Sequence, residues 1–476
     1  MAFYALLSFL VFLYRTEMKR KAFYVMQVVL ILGIQTFLFM QMVLKMRDMR
    51  YLFFFAFQAV MLVATILLYK LLYPDANLLI INNMCLMLMV SMAILTRLSG
   101  NKAIRQFIIA VASLLVALVI PAIVHRFRFG NSIWWIFGVT GLAALTFVLI
   151  LGRAINGSNL NYSVGGVTFQ PSEFIKIVFV FFVASGLVWA KEYWQLFTVA
   201  AVAALHVLIL MLSRDLGAGL IYFVAFFLML YIARDHAEWL FVGAVSLALA
   251  SAAGYRLFSH VRSRVQVFLD PWEAIDGAGY QVAQSLFGVS VGGPFGLGLY
   301  GGTPSAIPFV EQDFVFSALA EELGIVFAVS LLLVCLSTFF MILWIAGRVR
   351  DPYYRLLCAG FGVMYVFQVF LTVGGGVKFI PLTGVTLPLV SYGGSSVLAT
   401  ILMFGLLEGI VLIRADEHRA AVERLRGAAD RGSAKKSRGG KRSSGEHSRQ
   451  AGDTKSRYDD RYEDDEEYED EIDDDE

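Results

Sequence analysis

The chain has 476 residues, 58% of them hydrophobic and 16% charged, with a mean hydropathy of +0.70. Soluble globular proteins carry roughly 25% charged residues, so this composition excludes a soluble enzyme and predicts a polytopic membrane protein with no nucleic-acid partner. The formal charge of +2 hides a division: 14 of the 37 acidic residues lie in the last 18 positions, "DDRYEDDEEYEDEIDDDE", opposed there only by Arg461, so this end carries −13 and the rest +15.

The opening "MAFYALLSFLVFLY" is short for a span and lacks the basic leader and cleavage site of a secretory signal; a short extra span and an interfacial segment are equal readings. Apolar runs of the ~20 residues needed to cross a ~30 Å hydrocarbon layer then recur at 23–45, 51–73, 78–98, 104–125, 133–152, 174–190, 195–213, 216–233, 238–258, 314–346, 354–376 and 389–413. Cys85, Cys335 and Cys358 fall inside such runs without metal-like or framework spacing, so no disulfide is expected. After the last run, "RADEHRAAVERLRGAADRGSAKKSRGGKRSSGEHSRQ" passes from a short basic helix into a Gly/Ser/Lys/Arg-rich stretch, and residues 427–476 are predicted to be disordered. A basic segment directly after a span favours a cytoplasmic C-terminus. Counting back places 153–173, 213–215, 259–312 and 377–388 outside. It also places "KMRDMR" (45–50) and "RLSGNKAIR" (97–105) there, against the charge rule. The paired broken helices of inverted-repeat transporters are not visible.

Three outer segments are unusually long and rich in glycine, proline and polar residues: "NGSNLNYSVGGVTFQPSEFIK" (156–176), "DPWEAIDGAGYQVAQSLFGVSVGGPFGLGLYGG" (270–302) and "KFIPLTGVTLPLVSYGGSS" (378–396). Glycines such as Gly292, Gly293, Gly296, Gly298, Gly301 and Gly302 serve equally well for close approach to a ligand and for turning a re-entrant backbone. The cations there are Lys176, Arg214, Arg262, Arg264 and Lys378. Glu173 and Lys176 also suit a surface i,i+3 pair worth ~0.2–0.5 kcal/mol, and Asp215 before "LGAGL" suits a helix cap.

The sharpest feature is "PFVEQDFVFSALAEELG" (308–324), which sets Asp313, Glu321 and Glu322 at the mouth and first turns of the 314–346 span. Carboxylates at bilayer depth are costly and therefore functional candidates. On one continuous helix Asp313 and Glu321 would stand ~12 Å apart along the axis, beyond the ~5–9.5 Å of paired-carboxylate hydrolysis. Glu321 and Glu322 lie ~100° apart around it. The pattern favours a single base, with at least one glutamate in a structural network; helix capping is the competing reading of Asp313.

In order, "FQPSEFIK" (169–176), "RDLGAGL" (214–220), "DPWEAIDGAGYQVAQSL" (270–286), "QDFVFSALAEELG" (312–324) and "PLTGVTLPLVSYGGSS" (381–396) resemble the signature segments of the shape, elongation, division and sporulation (SEDS) family. Its members are peptidoglycan glycosyltransferases of the FtsW, RodA and SpoVE type. The resemblance covers roughly 78–413 and implies an all-α polytopic membrane protein. It would have additional N-terminal membrane helices (1–77, two or three of them), a ten-helix catalytic core (78–413, with a large outer loop at 259–312) and a charged cytoplasmic tail (414–476).

The resemblance further implies polymerisation of lipid II, an undecaprenyl-pyrophosphate disaccharide peptide, on the outer face of the bacterial cytoplasmic membrane. The work would serve division, elongation or sporulation, beside a class B penicillin-binding protein and other divisome or elongasome proteins. Asp313 matches the family's catalytic aspartate. Substrate-binding candidates are Gln170, Ser172, Glu173, Lys176, Arg214, Asp215, Arg264, Tyr280, Gln281, Glu321, Lys378, Ser391 and Tyr392. The reaction leaves room for a divalent cation, Mg or Mn, to neutralise pyrophosphate and needs no organic cofactor. Departures are Leu160 and Asn161 where the family often has an Arg-Trp pair, Phe309 after Pro308 in place of glutamate, and no lysine in "GGTPSAIP". The alternatives are a lipid II flippase, with Asn82, Asn83, His206, Gln368 and Glu408 as path residues, and a non-catalytic scaffold for which Asp313 is dispensable.

Overall fold

The computed structural model describes residues 1–14, 16–126, 133–151, 153–155, 158–164 and 167–439. Three helices open the chain: α1 (Ala2–Leu13), α2 (Glu17–Met46) and α3 (Arg50–Leu72). There follow α4 (Leu78–Leu98), α5 (Gly100–Arg126) and α6 (Trp134–Leu151), then three short strands, β1 (Arg153–Ile155), β2 (Ser158–Val164) and β3 (Val167–Phe169), paired antiparallel in the order β1-β2-β3. The remaining helices are α7 (Ser172–Trp189), α8 (Tyr193–Leu212), α9 (Leu216–Arg234), α10 (Glu238–Leu257), α11 (Ser259–Leu269), α12 (Tyr280–Gly292), α13 (Val315–Leu323), α14 (Ile325–Arg348), α15 (Pro352–Gly376) and α16 (Gly394–Gly439).

Among the described residues, eleven helices are long and apolar enough to cross a membrane: α2–α5, α7–α10 and α14–α16. With the shorter α6 they account for the twelve predicted spans. At 1.5 Å per residue the 12-residue α1 reaches only ~18 Å, too little to span, and it packs along α14 and α2. Apolar on every side, α4 is the central helix: 94% of its window is buried, against α2, α3, α5 and α14. A second layer forms around α15, which packs on α7, α9 and α14. By contrast α10 is only 11% buried and turns its apolar side chains outward.

Three predicted features come out differently. The 314–346 segment is not one helix: α13 stops at Gly324 (φ 88°, ψ 160°) and α14 starts afresh at Ile325. Positive φ suits glycine, and the backbone groups freed by the break bond to the preceding loop. Ile325 N donates to Gly293 O (2.9 Å) and Val326 N to Pro294 O (3.2 Å), while Leu297 N and Gly298 N donate to Glu321 O (3.0 Å) and Glu322 O (2.8 Å). At its other end α13 begins only at Val315, and Asp313 lies in the turn before it, so the straight-helix spacing of Asp313 and Glu321 does not apply. The 259–312 loop contains two helices, α11 and α12. Residues 427–439 continue α16 rather than being structureless, and the acidic end of the tail lies outside the described residues.

Adjacent asparagines on α4, ~100° apart around the helix, tie the opening helices to the bundle. Asn83 Oδ1 accepts from Tyr4 Oη (3.0 Å) and its Nδ2 donates to Ser337 Oγ and Thr338 Oγ1 of α14 (both 3.0 Å). Asn82 Nδ2 donates to Gln27 Oε1 (3.0 Å), and Gln27 Nε2 to Ser8 Oγ (3.1 Å). Buried side-chain hydrogen bonds between membrane helices contribute about 0.6 kcal/mol each on average, and an orphaned partner costs more. Asn83→Leu, which leaves Tyr4, Ser337 and Thr338 without their shared partner, is expected to lower stability by roughly 1–3 kcal/mol. Thermal unfolding in detergent, compared with Leu88→Met at a purely apolar α4 position, checks this.

Candidate active site

The two glutamates of α13 hold the glycine-rich loop that leads to Asp313. Glu322 Oε1 accepts from Arg97 Nε (2.8 Å) and Tyr300 N (3.1 Å), and the Arg97 guanidinium lies 4.3 Å from the centre of the Tyr300 ring. Burial raises the Glu322 carboxyl above its ordinary range, and Arg97 draws it back down. Glu321 Oε1 accepts from Thr303 N (2.6 Å), and a Cβ on Gly288 would come within 2.9 Å of its other oxygen. The glycines do two things here: Gly292, Gly296 and Gly302 press against α13, where a side chain would collide, and Gly293, Gly296 and Gly298 turn the backbone at positive φ.

Lys45 Nζ donates to Tyr300 O (3.2 Å), and Lys102 pairs with Glu311. Lys45, Arg97 and Lys102, from the two segments that break the charge rule, thus face residues 299–322 on one side of the protein.

Asp313 follows a tight turn in which its N–H donates to Phe309 O (3.1 Å), with Phe309 in the left-handed region (φ 55°). The third loop holds this turn from above. Tyr392 N donates to Glu311 O (2.7 Å), and Ser391 Oγ donates to Gln312 O while accepting from Leu387 N (2.9 Å). Gln106 of α5 backs the loop through Ser391 O (2.9 Å).

The Asp313 carboxyl is half-buried; loss of hydration pushes its pKa up to about 7, with Arg264 pulling in the opposite direction. Arg264 Nη1 donates to Leu382 O (3.0 Å) and Thr383 O (2.7 Å). A Cβ on Gly384 (φ 75°) would stand 3.8 Å from both Arg264 Nη2 and Asp313 Oδ2, so carboxylate and guanidinium flank the same backbone position. A carboxyl in this state exchanges a proton near neutral pH, and the adjacent cation stabilises negative charge.

Arg264 also lies within electrostatic range of Asp215, whose carboxyl is raised chiefly by burial. Asp215 caps α9 through Ala218 N (3.0 Å), as its sequence context suggests, and its second oxygen meets Gln170 Nε2 (3.3 Å) and Ser172 Oγ (3.5 Å). Lys176 is buried, 2.6 Å from Glu173 Oε2, and donates to Gln368 Oε1 (2.7 Å); Gln368 Nε2 donates to Thr386 O of the third loop (2.9 Å). Glu173, Lys176 and Gln368 line a cavity with Phe361, Tyr365 and Pro388.

The sequence candidates thus divide. Gln170, Ser172, Glu173, Lys176, Asp215, Arg264 and Asp313 gather around the third loop, to which Ser391 and Tyr392 themselves belong. Glu321 is occupied with the glycine-rich loop. Arg214 is exposed in the left-handed region (φ 63°), and Lys378 (φ 57°) donates to Leu269 O (3.5 Å). Tyr280 and Gln281 open α12, and among the described residues neither makes a hydrogen bond to the Asp313 group. Gln106 and the binding role of Gln368 were missed; a glutamine inside an apolar span was their only signal. The five polar residues of a transport path do not form one: Asn82 and Asn83 belong to the α1–α2 network, Gln368 to Lys176, His206 Nδ1 to Val202 O (2.8 Å) and Glu408 to Asn77 N (2.8 Å). Among the described residues no group of three or more His, Cys, Asp or Glu side chains could hold a metal. The donor set at Asp313, one carboxylate beside an arginine, does not fit a protein-built cation site.

A polytopic helical bundle with this ordered set of loops defines the class, and the chain belongs to the FtsW, RodA and SpoVE family of cell cycle proteins, whose sequence profile matches residues 69–415. It is similar to the peptidoglycan glycosyltransferase RodA of Mycobacterium tuberculosis, 36% identical over 58% of this chain and 63% of that protein. The chain therefore spans a little under two thirds of the length of that relative. It is also similar to a probable peptidoglycan glycosyltransferase FtsW of Halomonas elongata, 31% identical over 72% of this chain and 88% of that one. Among solved structures, a chain from a peptidoglycan synthase complex that coordinates polymerization and crosslinking superposes with a TM-score of 0.61 at 26% identity, covering 71% of this chain and 98% of that one.

Breaking a buried ion pair costs ~3–5 kcal/mol; Arg97 keeps some exposure, so Glu322→Ala is expected to cost roughly 2–3 kcal/mol. It should also open the 297–303 turn to protease. Thermal unfolding together with mapping of the cleavage sites checks both effects.

Proposed function

We propose that this chain is a peptidoglycan glycosyltransferase that polymerises lipid II, with Asp313 as its general base. The observation that carries this reading is the setting of Asp313: a half-buried carboxyl held by two loops, beside the same glycine, Gly384, as the Arg264 guanidinium, where burial raises its pKa. Lipid II polymerisation requires the 4-hydroxyl of one saccharide to attack the anomeric carbon of another while undecaprenyl pyrophosphate departs. A new C–O bond forms, the C–O bond to pyrophosphate breaks, and Asp313 takes the hydroxyl proton.

For the leaving group the sequence favours Lys176, yet its ammonium is buried against Glu173 and Gln368. Arg264 stands nearer the developing charge, and Lys176 acts by positioning Thr386 through Gln368. The polyprenyl chain stays in the bilayer while the saccharides reach the loops, which puts the Asp313 side outward and the basic connections and tail inward. The partner this reading implies is a crosslinking transpeptidase of the class B penicillin-binding type; in support, the similar solved chain comes from a peptidoglycan synthase complex that coordinates polymerization and crosslinking.

Asp313→Asn is expected to reduce polymerisation of purified lipid II by the 10²–10⁴-fold typical of a lost acid–base group, with expression and lipid II binding unchanged. The assay is run with and without the transpeptidase, and retention of more than about a tenth of the wild-type rate overturns the assignment.

The pH profile gives an independent check. A base works ionised, so the rate should rise about tenfold per pH unit below a break near 7 and level off above it. Arg264 favours the carboxylate, so in Arg264→Gln the Asp313 pKa rises and the break moves to higher pH. A break that stays in place in that variant would separate the two residues.

A further inference from the structure

The hairpin tip between α2 and α3 grips one residue of the glycine-rich loop, and that residue is strained. Tyr300 has φ 62°, and a bulky side chain in the left-handed region is an outlier that persists only when its surroundings over-determine it. The other positive-φ positions of 293–302, Gly293, Gly296 and Gly298, carry the residue that suits them. A tyrosine at 300 has to be explained by what its side chain does.

Each part of Tyr300 has its own partner, and each partner comes from a different helix. Its N–H donates to Glu322 of α13 (3.1 Å) and its carbonyl accepts from Lys45 Nζ of α2 (3.2 Å). Its ring faces the Arg97 guanidinium of α4 (4.3 Å), and its hydroxyl hydrogen-bonds to that of Tyr51 on α3. Lys45 also donates to Leu299 O (3.5 Å) and Arg97 Nη2 to Gly302 O (3.3 Å), so the turn is held on both sides of the tyrosine. Lys45 lies in the last turn of α2 and Tyr51 in the first turn of α3. The connection between them is braced without the loop: Arg50 N and Nε donate to Asp48 (2.9 and 2.8 Å), and Phe54 meets Phe107 of α5 edge-on (5.6 Å).

A turn that had only to be stable would be better served by glycine at 300, which relieves the strain and keeps the bonds of the N–H and the carbonyl. What glycine would lose is the ring and the hydroxyl, and with them the links to Arg97 and Tyr51. Beyond Tyr300 the chain is tied onward, Thr303 N to Glu321 and Glu311 to Lys102, and Glu311 stands two residues before Asp313. The placement of Tyr300 is thereby passed along a short bonded stretch to the Asp313 turn.

We propose that Tyr300 is a positioning residue for Asp313, and that the opening helices act on the reaction by holding it through Lys45 and Tyr51. Both of these residues lie outside the family-matched stretch 69–415, so α2 and α3 contribute to turnover from beyond the shared core. The inference rests on the polymerase reading of Asp313 and adds to it. Misplacing a catalytic group by ~1 Å is enough to cost about 10²-fold in rate.

The test compares purified full-length variants in lipid II polymerisation and in hydrogen–deuterium exchange of residues 299–313. Tyr300→Gly, and separately Lys45→Met with Tyr51→Phe, should each lower kcat about tenfold while KM for lipid II stays within about twofold. Exchange should rise from residue 299 through Asp313 in the same variants. Lys45→Arg, which keeps a donor for Tyr300 O, should retain the wild-type kcat, and Arg47→Gln, at an exposed cation of the same hairpin tip, should change neither readout. If Tyr300→Gly does not fold, the other pair carries the expectation, since Lys45 is exposed and Tyr51→Phe removes a single oxygen. Wild-type kcat in these variants, or a rise in exchange that stops at Thr303, overturns the inference and leaves Asp313 as the base. Absence of polymerisation by the wild type overturns the polymerase reading instead, and the exchange measurement then decides the coupling of Tyr300 to Asp313 by itself.

Discussion

A backbone that leaves helical geometry inside a membrane protein has to find its hydrogen bonds within the protein. The break at Gly324 satisfies this by exchanging bonds with residues 293–298, and the arrangement of the loops around Asp313 follows from that exchange. Once 293–298 lies against the α13–α14 junction, Glu322 is placed to receive Tyr300 N and Arg97, and Glu321 to receive Thr303 N. The path from Thr303 to Asp313 is then short and fixed at both ends. The glutamates that first look like a catalytic cluster are the supports of the one carboxylate left over.

The second determinant is electrostatic. Arg264 on α11 lies between Asp215, at the start of α9, and Asp313, and it holds two carbonyls of the third loop. A single guanidinium thus joins three segments separated widely in sequence, and it keeps the Asp313 carboxyl from rising as far as burial alone would drive it. Gly384 sets no side chain against either group. The Lys176 side of the site is buried and internally paired, a scaffold against which the loop from Thr386 onward rests.

Much of this was legible in the sequence because hydrophobic length is a strong signal. All twelve spans have their helical counterparts, and the ordered motifs point to the family to which the chain belongs. The break within 314–346 was not legible, since Leu323-Gly324-Ile325 sits in an apolar run where one glycine is tolerated as readily as it interrupts. The role of the loop glycines was likewise open, because close approach to a ligand and close approach to α13 demand the same residue. Lys176 looked available because its partner Gln368 lies 192 residues away. The Asn82–Asn83 pair read as scattered polarity until α1 and α2 were placed against it.

The pairing of Lys45, Arg97 and Lys102 with the 299–322 loop bears on how the protein is made. The charge rule acts on a chain as it is inserted, and Tyr300 and Glu322 are separated from Lys45 and Arg97 by 255 and 225 residues. At 5–20 residues per second, ~10–50 s of translation separate these cations from their partners. On the proposed orientation, which puts this side outward, the first spans are inserted while carrying uncompensated positive charge on the translocated side. Their final arrangement is locked only when the large loop arrives. The segments synthesised first are therefore among the last to be fixed.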